Sequence, residues 1–506
     1  MRKLITLLIV LCITATGFAQ SKKLESITEF KLQNSGAILN KDKDVDGYYF
    51  FYLVDKLKKG AREYGIQVLD NNLNEVAFKK YVAQKGTILV DSQFNNDGLM
   101  FAFLNKKERH IKVVLFDRNA EQKETSTVEL SKKEITWLMA MNQSEDFNIL
   151  TSVPNKGFLL TVIKDNKKIG YKTFFYPTDD SRGWRYGSPE GSKEIVTGAP
   201  MATNEKFIVI NEMSKPGMLS KKLKITTKIL NTETGKLVTT IKSDPKKPKL
   251  ITNGLLNENN QLILMGEYFK GGDNIMKDKS QGLFVEVIDE TGATLTENTA
   301  SWSKDINPIL KAKDDKKNSY IYFHDIVPTA DGSFYAIGEK FRKTASAAGI
   351  AAAVLSRGGN SVTQLTITDA LVFEFDKDFA LKGIQTFEKG KSRAPSISDF
   401  GSPQLNAHVL KNYGAFDHIY TQIDKENDRF YACFIDYERL KGEKNKNAFK
   451  TIIYDEGEFS QDKIYLEAGK GKITRVLPAK TGNVVILEYD KKAKTMDLHM
   501  EKLNID

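Results

Sequence analysis

Asn259-Asn260-Gln261-Leu262-Ile263-Leu264-Met265-Gly266-Glu267-Tyr268-Phe269 aligns without a gap on Asp331-Gly332-Ser333-Phe334-Tyr335-Ala336-Ile337-Gly338-Glu339-Lys340-Phe341. Each segment is a polar turn, four apolar residues, then Gly-Glu-x-Phe. Weaker copies of the turn and its apolar run begin at Asp46, Asn96, Asn155, Asn204, Asn427 and Thr481, which makes eight. The run is apolar at successive positions, so both faces of the strand are expected to be covered.

A second unit follows most copies: an extended apolar strand ending in Asp or Asn and a polar turn. It appears at Val68-Leu69-Asp70, Leu115-Phe116-Asp117, Ile229-Leu230-Asn231, Val287-Ile288-Asp289, Glu374-Phe375-Asp376 and Ile453-Tyr454-Asp455. An Asx side chain can cap its own turn, which accounts for the residue type. β-Branched and aromatic residues dominate, and no long segment shows helical periodicity. The chain reads as all-β. Hairpins that must cover both faces and manage their edges can do so as radially packed four-stranded blades. The expected fold is a β-propeller of seven or eight blades, eight by repeat count; a large β-sandwich or a solenoid is the alternative. The mean repeat spacing of about 62 residues exceeds that of compact blade families, so long loops are expected. The interval between the copies near 331 and 427 is the longest, with room for an insertion.

The 506 residues carry 75 Lys and Arg against 65 Asp and Glu, with two cysteines. This is too apolar for a disordered chain and too poor in Cys for a disulfide scaffold. Residues 1–19 read as a signal peptide: Arg2 and Lys3, an apolar run from Leu4 to Thr16, and Gly17-Phe18-Ala19 before the expected cleavage point. Residues 20–506 then form one propeller domain of net charge +8, with Cys433 as its single cysteine in a buried strand. No later apolar run is long enough to span a membrane. Of the basic residues 63 are Lys and only 12 Arg, and the lysines cluster with Asp, Asn, Gly and Pro in turn-like segments. That is the pattern of solvated hairpin tips, and it argues against nucleic acid, where Arg is favoured.

No catalytic signature is present: no Gly-x-Ser-x-Gly, His-Glu-x-x-His, phosphate-binding loop or Cys-x-x-Cys pair. Asp42, Asp44 and Asp46 before Gly47 offer alternate carboxylates to a hard cation such as Ca2+, but the EF-hand frame ends on Leu53 and lacks its closing Glu. The solvated hairpin is the competing reading. His408 and His418 flank Tyr413-Gly414, which suggests a cross-strand imidazole pair without metal. His324 and Asp325 are adjacent in a strand and should face opposite ways. The segment 176–187 places Asp179, Asp180, Arg182, Trp184, Arg185 and Tyr186 in a Gly/Pro-rich loop suited to carbohydrate or peptide contact; packing of Trp184 on its own blade is the competing reading. Residues 345–355 form an Ala/Gly-rich insertion near 342–362, read as a short helix against the propeller or an apolar finger for a partner, a ligand or a membrane surface.

The export segment, the Lys/Asn-rich surface and Ile326-Val327-Pro328-Thr329-Ala330-Asp331-Gly332-Ser333-Phe334-Tyr335-Ala336-Ile337-Gly338-Glu339 resemble secreted β-propeller-like proteins of uncharacterised function from Bacteroidetes-type bacteria. The expectation is a monomeric binding or scaffold protein, periplasmic or at the outer-membrane periphery, recognising a glycan, peptide or envelope protein through its loops. A polysaccharide-processing hydrolase or lyase with an acidic central site is the alternative.

Overall fold

Each of the eight apolar runs becomes the second strand of an antiparallel sheet, seven of them four-stranded and one five-stranded, and the eight sheets are the blades of a β-propeller. The computed structural model describes residues 20–503 apart from 41–42, 142–147, 167, 218–219, 221, 311–318, 350–360, 412, 439–445 and 467–470. Residues 1–19, read above as a signal peptide, Asp42 and most of the Ala-rich insertion therefore lie outside the described residues.

Strands are counted outward from the central axis. Blade 1 comprises Glu29–Leu39, Val45–Lys56, Arg62–Asp70 and Glu75–Ala83. Blade 2 comprises Thr87–Phe94, Gly98–Asn105, His110–Asp117 and Gln122–Glu129; blade 3 comprises Leu150–Val153, Gly157–Asn166, Lys168–Pro177 and Trp184–Gly187. Blade 4 comprises Ile195–Thr203, Phe207–Lys215, Lys224–Asn231 and Leu237–Lys242; blade 5 comprises Lys249–Leu256, Leu262–Tyr268, Gly282–Ile288 and Thr294–Ser301. Blade 6 is longer, with Tyr320–Pro328, Phe334–Ala345, Thr363–Phe375 and Leu381–Phe387, and an extra strand Ser392–Pro395 pairs beside Leu381–Phe387 along the third strand. Blade 7 comprises His418–Asp424, Arg429–Glu438, Lys446–Asp455 and Glu458–Leu466. Blade 8 takes Lys472–Pro478, Asn483–Asp490 and Thr495–Lys502 from the end of the chain and Ser21–Leu24 from its beginning. That last pairing closes the ring and leaves no open edge between first and last blade.

The successive apolar positions of the second strands are explained by the seams between blades. Leu262 and Leu264 pack toward blade 4, whereas Ile263 and Met265 pack toward blade 6. In the same way Phe334 and Ala336 face blade 5, and Tyr335 and Ile337 face blade 7. Each of the eight seams has its own hydrophobic cluster. A strand wedged between two neighbours buries both faces, so period-2 alternation disappears. Cys433 sits in the seam between blades 7 and 8, 1% exposed, and burial pushes its thiol up to about 12.

The Gly of the Gly-Glu motif has a steric cause. The first strands of blades 5 and 6 carry a bulge at Thr252 and at His324. A Cβ on Gly266 would lie 2.0 Å from the Leu250 carbonyl oxygen, and one on Gly338 would lie 2.8 Å from that of Tyr322. Only glycine lets the second strand approach that closely.

Most of the Asx residues cap their turns as expected, Asn231 included, whereas Asp455 accepts from Arg429 Nε. Asp70 Oδ1 accepts from the N–H groups of Asn72 and Asn74, both at 2.8 Å; Asp117, Asp289 and Asp376 repeat the same two bonds at i+2 and i+4. Burial alone would raise the Asp70 carboxyl, but its bonds to Asn74 and Asn72 outweigh that and hold it below the usual range. Asp70→Ala should therefore cost about 1 kcal/mol, read as a lower urea midpoint at neutral pH. The difference should narrow as pH falls, because a depressed carboxyl contributes its stability only while ionised.

Candidate functional site: a central cavity with a buried charge cluster in its wall

The first strands of blades 1 to 7 surround a cavity of about 2100 Å³. One rim is made by the turns between first and second strands, including Asn40, Asn96, Glu205, Glu258 and Lys425. The rest of the lining comes partly from connections between blades. Helix Lys132–Met141 follows blade 2, and helix Pro403–Lys411 follows blade 6; Leu138 and His408 reach the cavity from them.

Neither helix was expected, yet both carry start signals. Ser131 Oγ accepts from the N–H of Glu134, and Glu134 Oε2 accepts from the N–H of Ser131, a reciprocal capping box spelled Ser-x-x-Glu. Ser402 Oγ accepts from the N–H of Leu405 ahead of Pro403 at the first helical position.

The cavity wall is mainly uncharged, with apolar side chains such as Leu150, Met201 and Ile251 covering more of it than polar ones. Gln93, Thr151, Thr197, Thr252 and Asn253 project from first strands, and Asn211 joins them from a second strand. Charged lining residues cluster at the turns, where several already have partners: Lys206 with Glu290 at 2.5 Å, and Lys425 with Glu258 at 3.4 Å. Asp325 stands apart in the wall of blade 6. Its side chain is 39% exposed and borders the cavity, and burial beneath the surface raises its carboxyl.

Behind that wall, at the seam of blades 6 and 7, lies a buried charge cluster. Lys389 Nζ is 2.9 Å from Glu339 Oε1 and 2.5 Å from Asp417 Oδ2, with the lysine 1% and the glutamate 0% exposed. Glu339 Oε2 also accepts from the N–H groups of Asp417 and His418, both at 3.0 Å, and lies 3.0 Å from His324 Nε2. Ser392 Oγ donates to Asp417 Oδ2 at 2.8 Å. Burial would raise Glu339, but His324 and Lys389 outweigh it and hold the carboxyl low. Burial would lower Lys389, but Glu339 and Asp417 keep it raised and charged. Asp417 is pushed up, chiefly by burial. His324 is driven down to about 4 by burial and the charge of Lys411, so its imidazole is neutral at neutral pH.

The histidines pair differently from the sequence expectation. His408 is on a helix, not a hairpin strand, and His418 stacks instead on His324, with ring centroids 4.8 Å apart and planes 9° from parallel. The bulge at His324 turns that side chain toward Glu339, while Asp325 Oδ2 lies 3.8 Å from His418 Nε2. Among the described residues no group of three or more His, Cys, Asp and Glu is arranged to hold a metal ion. Asp44 Oδ2 accepts from Asn40 Nδ2 at 3.3 Å, and Asp46 Oδ2 accepts from Arg118 of blade 2 at 2.8 Å.

The 176–187 segment is the end of the third strand, the turn and the fourth strand of blade 3, outside the cavity lining. Trp184 stacks on Phe175 at 5.3 Å, lies against Gly235 of blade 4 and donates Nε1–H to the Thr232 carbonyl at 2.8 Å. The ring thus ties blade 3 to blade 4. Asp179, Asp180, Arg182 and Arg185 are exposed, and Tyr186 lies under Lys228 Nζ, 5.4 Å from the ring centre. No helix among the described residues is long and apolar enough to cross a membrane.

Similarity to solved structures is distant. Prolyl oligopeptidase B from Galerina marginata matches at 9% identity and TM-score 0.39, over 94% of this chain and 55% of that one. Porphyromonas gingivalis dipeptidyl peptidase 4 matches at 10% identity and TM-score 0.41, over 94% and 61%. The WD40 domain of SCAP from fission yeast matches at 10% identity and TM-score 0.23, over 82% and 97%. The chain thus spans little more than half the length of the peptidases. No curated protein matches. Residues 1–504 match the Family of unknown function (DUF6770), and the chain belongs to that family.

Proposed function

We propose that this is a non-enzymatic binding protein of the cell envelope whose central cavity receives a stretch of glycan or peptide. The observation that carries the reading is the chemistry of the cavity wall: hydroxyl and amide side chains on rigid first strands, set among apolar ones around about 2100 Å³. Such walls match ligands rich in hydroxyl or amide groups, and rigid strands hold the donors and acceptors in place before the ligand arrives. The paired charges of the rim disfavour a polyanion such as nucleic acid. The envelope address rests on the export pattern of residues 1–19.

Thr197 is exposed within the cavity, so Thr197→Trp should narrow it without disturbing a seam. Residues 20–506, offered a glycan array and a peptide library, should retain a ligand that the variant binds about tenfold or more weakly, with unchanged thermal unfolding. The enzyme reading draws on Asp325 as a carboxylate in the cavity wall. Turnover of the retained ligand, abolished by Asp325→Asn, would replace the binding reading with that one.

A further inference from the structure

Blade 6 carries an extension whose construction does not serve the cavity. Its second and third strands run for 12 and 13 residues, and Ser392–Pro395 pairs along the overhanging part of the third strand, Gln364 to Ile367. The loop that follows is tightly held. Lys343 Nζ donates to the carbonyl oxygens of Ser398, Asp399 and Gly401 at 2.8, 2.8 and 2.9 Å. The Asp399 carboxylate accepts from Ser361 Oγ, from Thr363 N–H and Oγ1, and from Val362 N–H. From the helix behind, Asn406 Nδ2 donates to the carbonyl oxygens of Ser398 and Ser402, and Asn406 Oδ1 accepts from the N–H of Ser398.

All this order presents Phe400 at 90% exposure and Ile397 at 53%. A slack loop would fold an aromatic ring onto the adjoining apolar surface; a loop fastened on both sides of Phe400 keeps it out. Ala345, Ala347 and Ala348 are exposed on the same extension. The exposed charges from residue 391 to the loop are Lys391 and Arg393, both positive, with the exposed Glu388 three residues earlier. The Asp399 carboxylate, in contrast, is consumed by its bonds to the hairpin.

We propose that this extension is a peripheral membrane contact that inserts Phe400 and Ile397 at the surface of an anionic bilayer, with Lys391 and Arg393 against the headgroups. Two arguments select lipid over a protein partner. The apolar tip consists of two large side chains, far less area than the roughly 1,000 Å² a specific protein interface needs. A small apolar tip beside basic residues is sufficient for reversible attachment to anionic lipid, where charge and insertion act together. The inference is independent of what the cavity binds.

The test is co-sedimentation of residues 20–506 with vesicles of phosphatidylcholine containing phosphatidylglycerol, against phosphatidylcholine alone, at low and high salt. Binding should require the anionic lipid and weaken with salt. Ile397→Ser/Phe400→Ser and Lys391→Glu/Arg393→Glu should each reduce it about fivefold or more, with unchanged thermal unfolding because these side chains are exposed. Phe400→Trp should show a blue-shifted emission on adding the anionic vesicles. Failure of the wild type to bind, or full binding by the double serine variant, overturns the proposal. So does a self-association in solution that the serine variant abolishes, since the tip would then belong to an interface between two copies.

Discussion

Lys389→Met is expected to destabilise the protein by about 3–5 kcal/mol at pH 7.5, read as a fall in the urea or thermal midpoint. The ammonium is 1% exposed and balances Glu339, which is 0% exposed and held ionised in part by that same ammonium. Methionine fills the volume but leaves the carboxylate without its cation, and the desolvation penalty is then uncompensated. Adding Glu339→Gln should recover part of the loss, because the orphaned charge disappears while an amide oxygen still faces the N–H groups of Asp417 and His418. The two changes should therefore be far from additive, as expected of residues in direct contact. Acidification should also shrink the cost of Lys389→Met, since without Lys389 burial raises the Glu339 carboxyl and a proton neutralises it. A change below about 1 kcal/mol for the single variant would mean that solvent already reaches the cluster.

The parts of the fold visible in the sequence are those where one local rule acts alone. Second strands were legible because wedging between two seams makes them continuously apolar, and third strands because an Asx residue must cap the turn that ends them. First strands were not. Their bulges at Thr252, His324 and elsewhere break the period, and one set of their side chains faces a polar cavity. Fourth strands such as Gln122–Glu129 are largely exposed and polar and read as loop. Ser21–Leu24 was hidden for a different reason, since its partner Thr495–Lys502 lies at the far end of the chain. The long interval between the blade-6 and blade-7 repeats does hold an insertion, residues 388–417, with an extra strand and a helix. The charge cluster escaped notice because Lys389 and Asp417 sit at the two ends of that insertion, where neither belongs to the repeat.

Glu267 shows what the insertion contributes, and it carries the second large expected effect. It occupies the same place in the Gly-Glu motif as Glu339, and both face the following blade. Glu339 meets Lys389 there. Glu267 meets Ser280 and Gln404, neutral groups, and burial pushes its carboxyl up to about 8 despite their hydrogen bonds. Between the unfolded value and 8 the folded chain holds a proton that the unfolded chain has lost, so stability falls as pH rises through that window. The full effect is on the order of 5 kcal/mol, of which roughly 2 kcal/mol falls between pH 6.5 and 8. The buried histidines act below this upper interval. His324 and His408 are lowered to about 4, so their contribution is complete above the ordinary histidine value and is lost only on acidification. Glu267→Gln should accordingly remove most of the decline of the thermal midpoint between pH 6.5 and 9, leaving a smaller decline near pH 7 from the buried Asp91 carboxyl, which burial raises to about 7. Parallel profiles for wild type and variant above pH 6.5 would show that Glu267 is already ionised, with a cation reaching it as Lys389 reaches Glu339. The motif therefore specifies only that a glutamate enters the seam, and the inserted residues that meet it decide whether a proton or a lysine neutralises it.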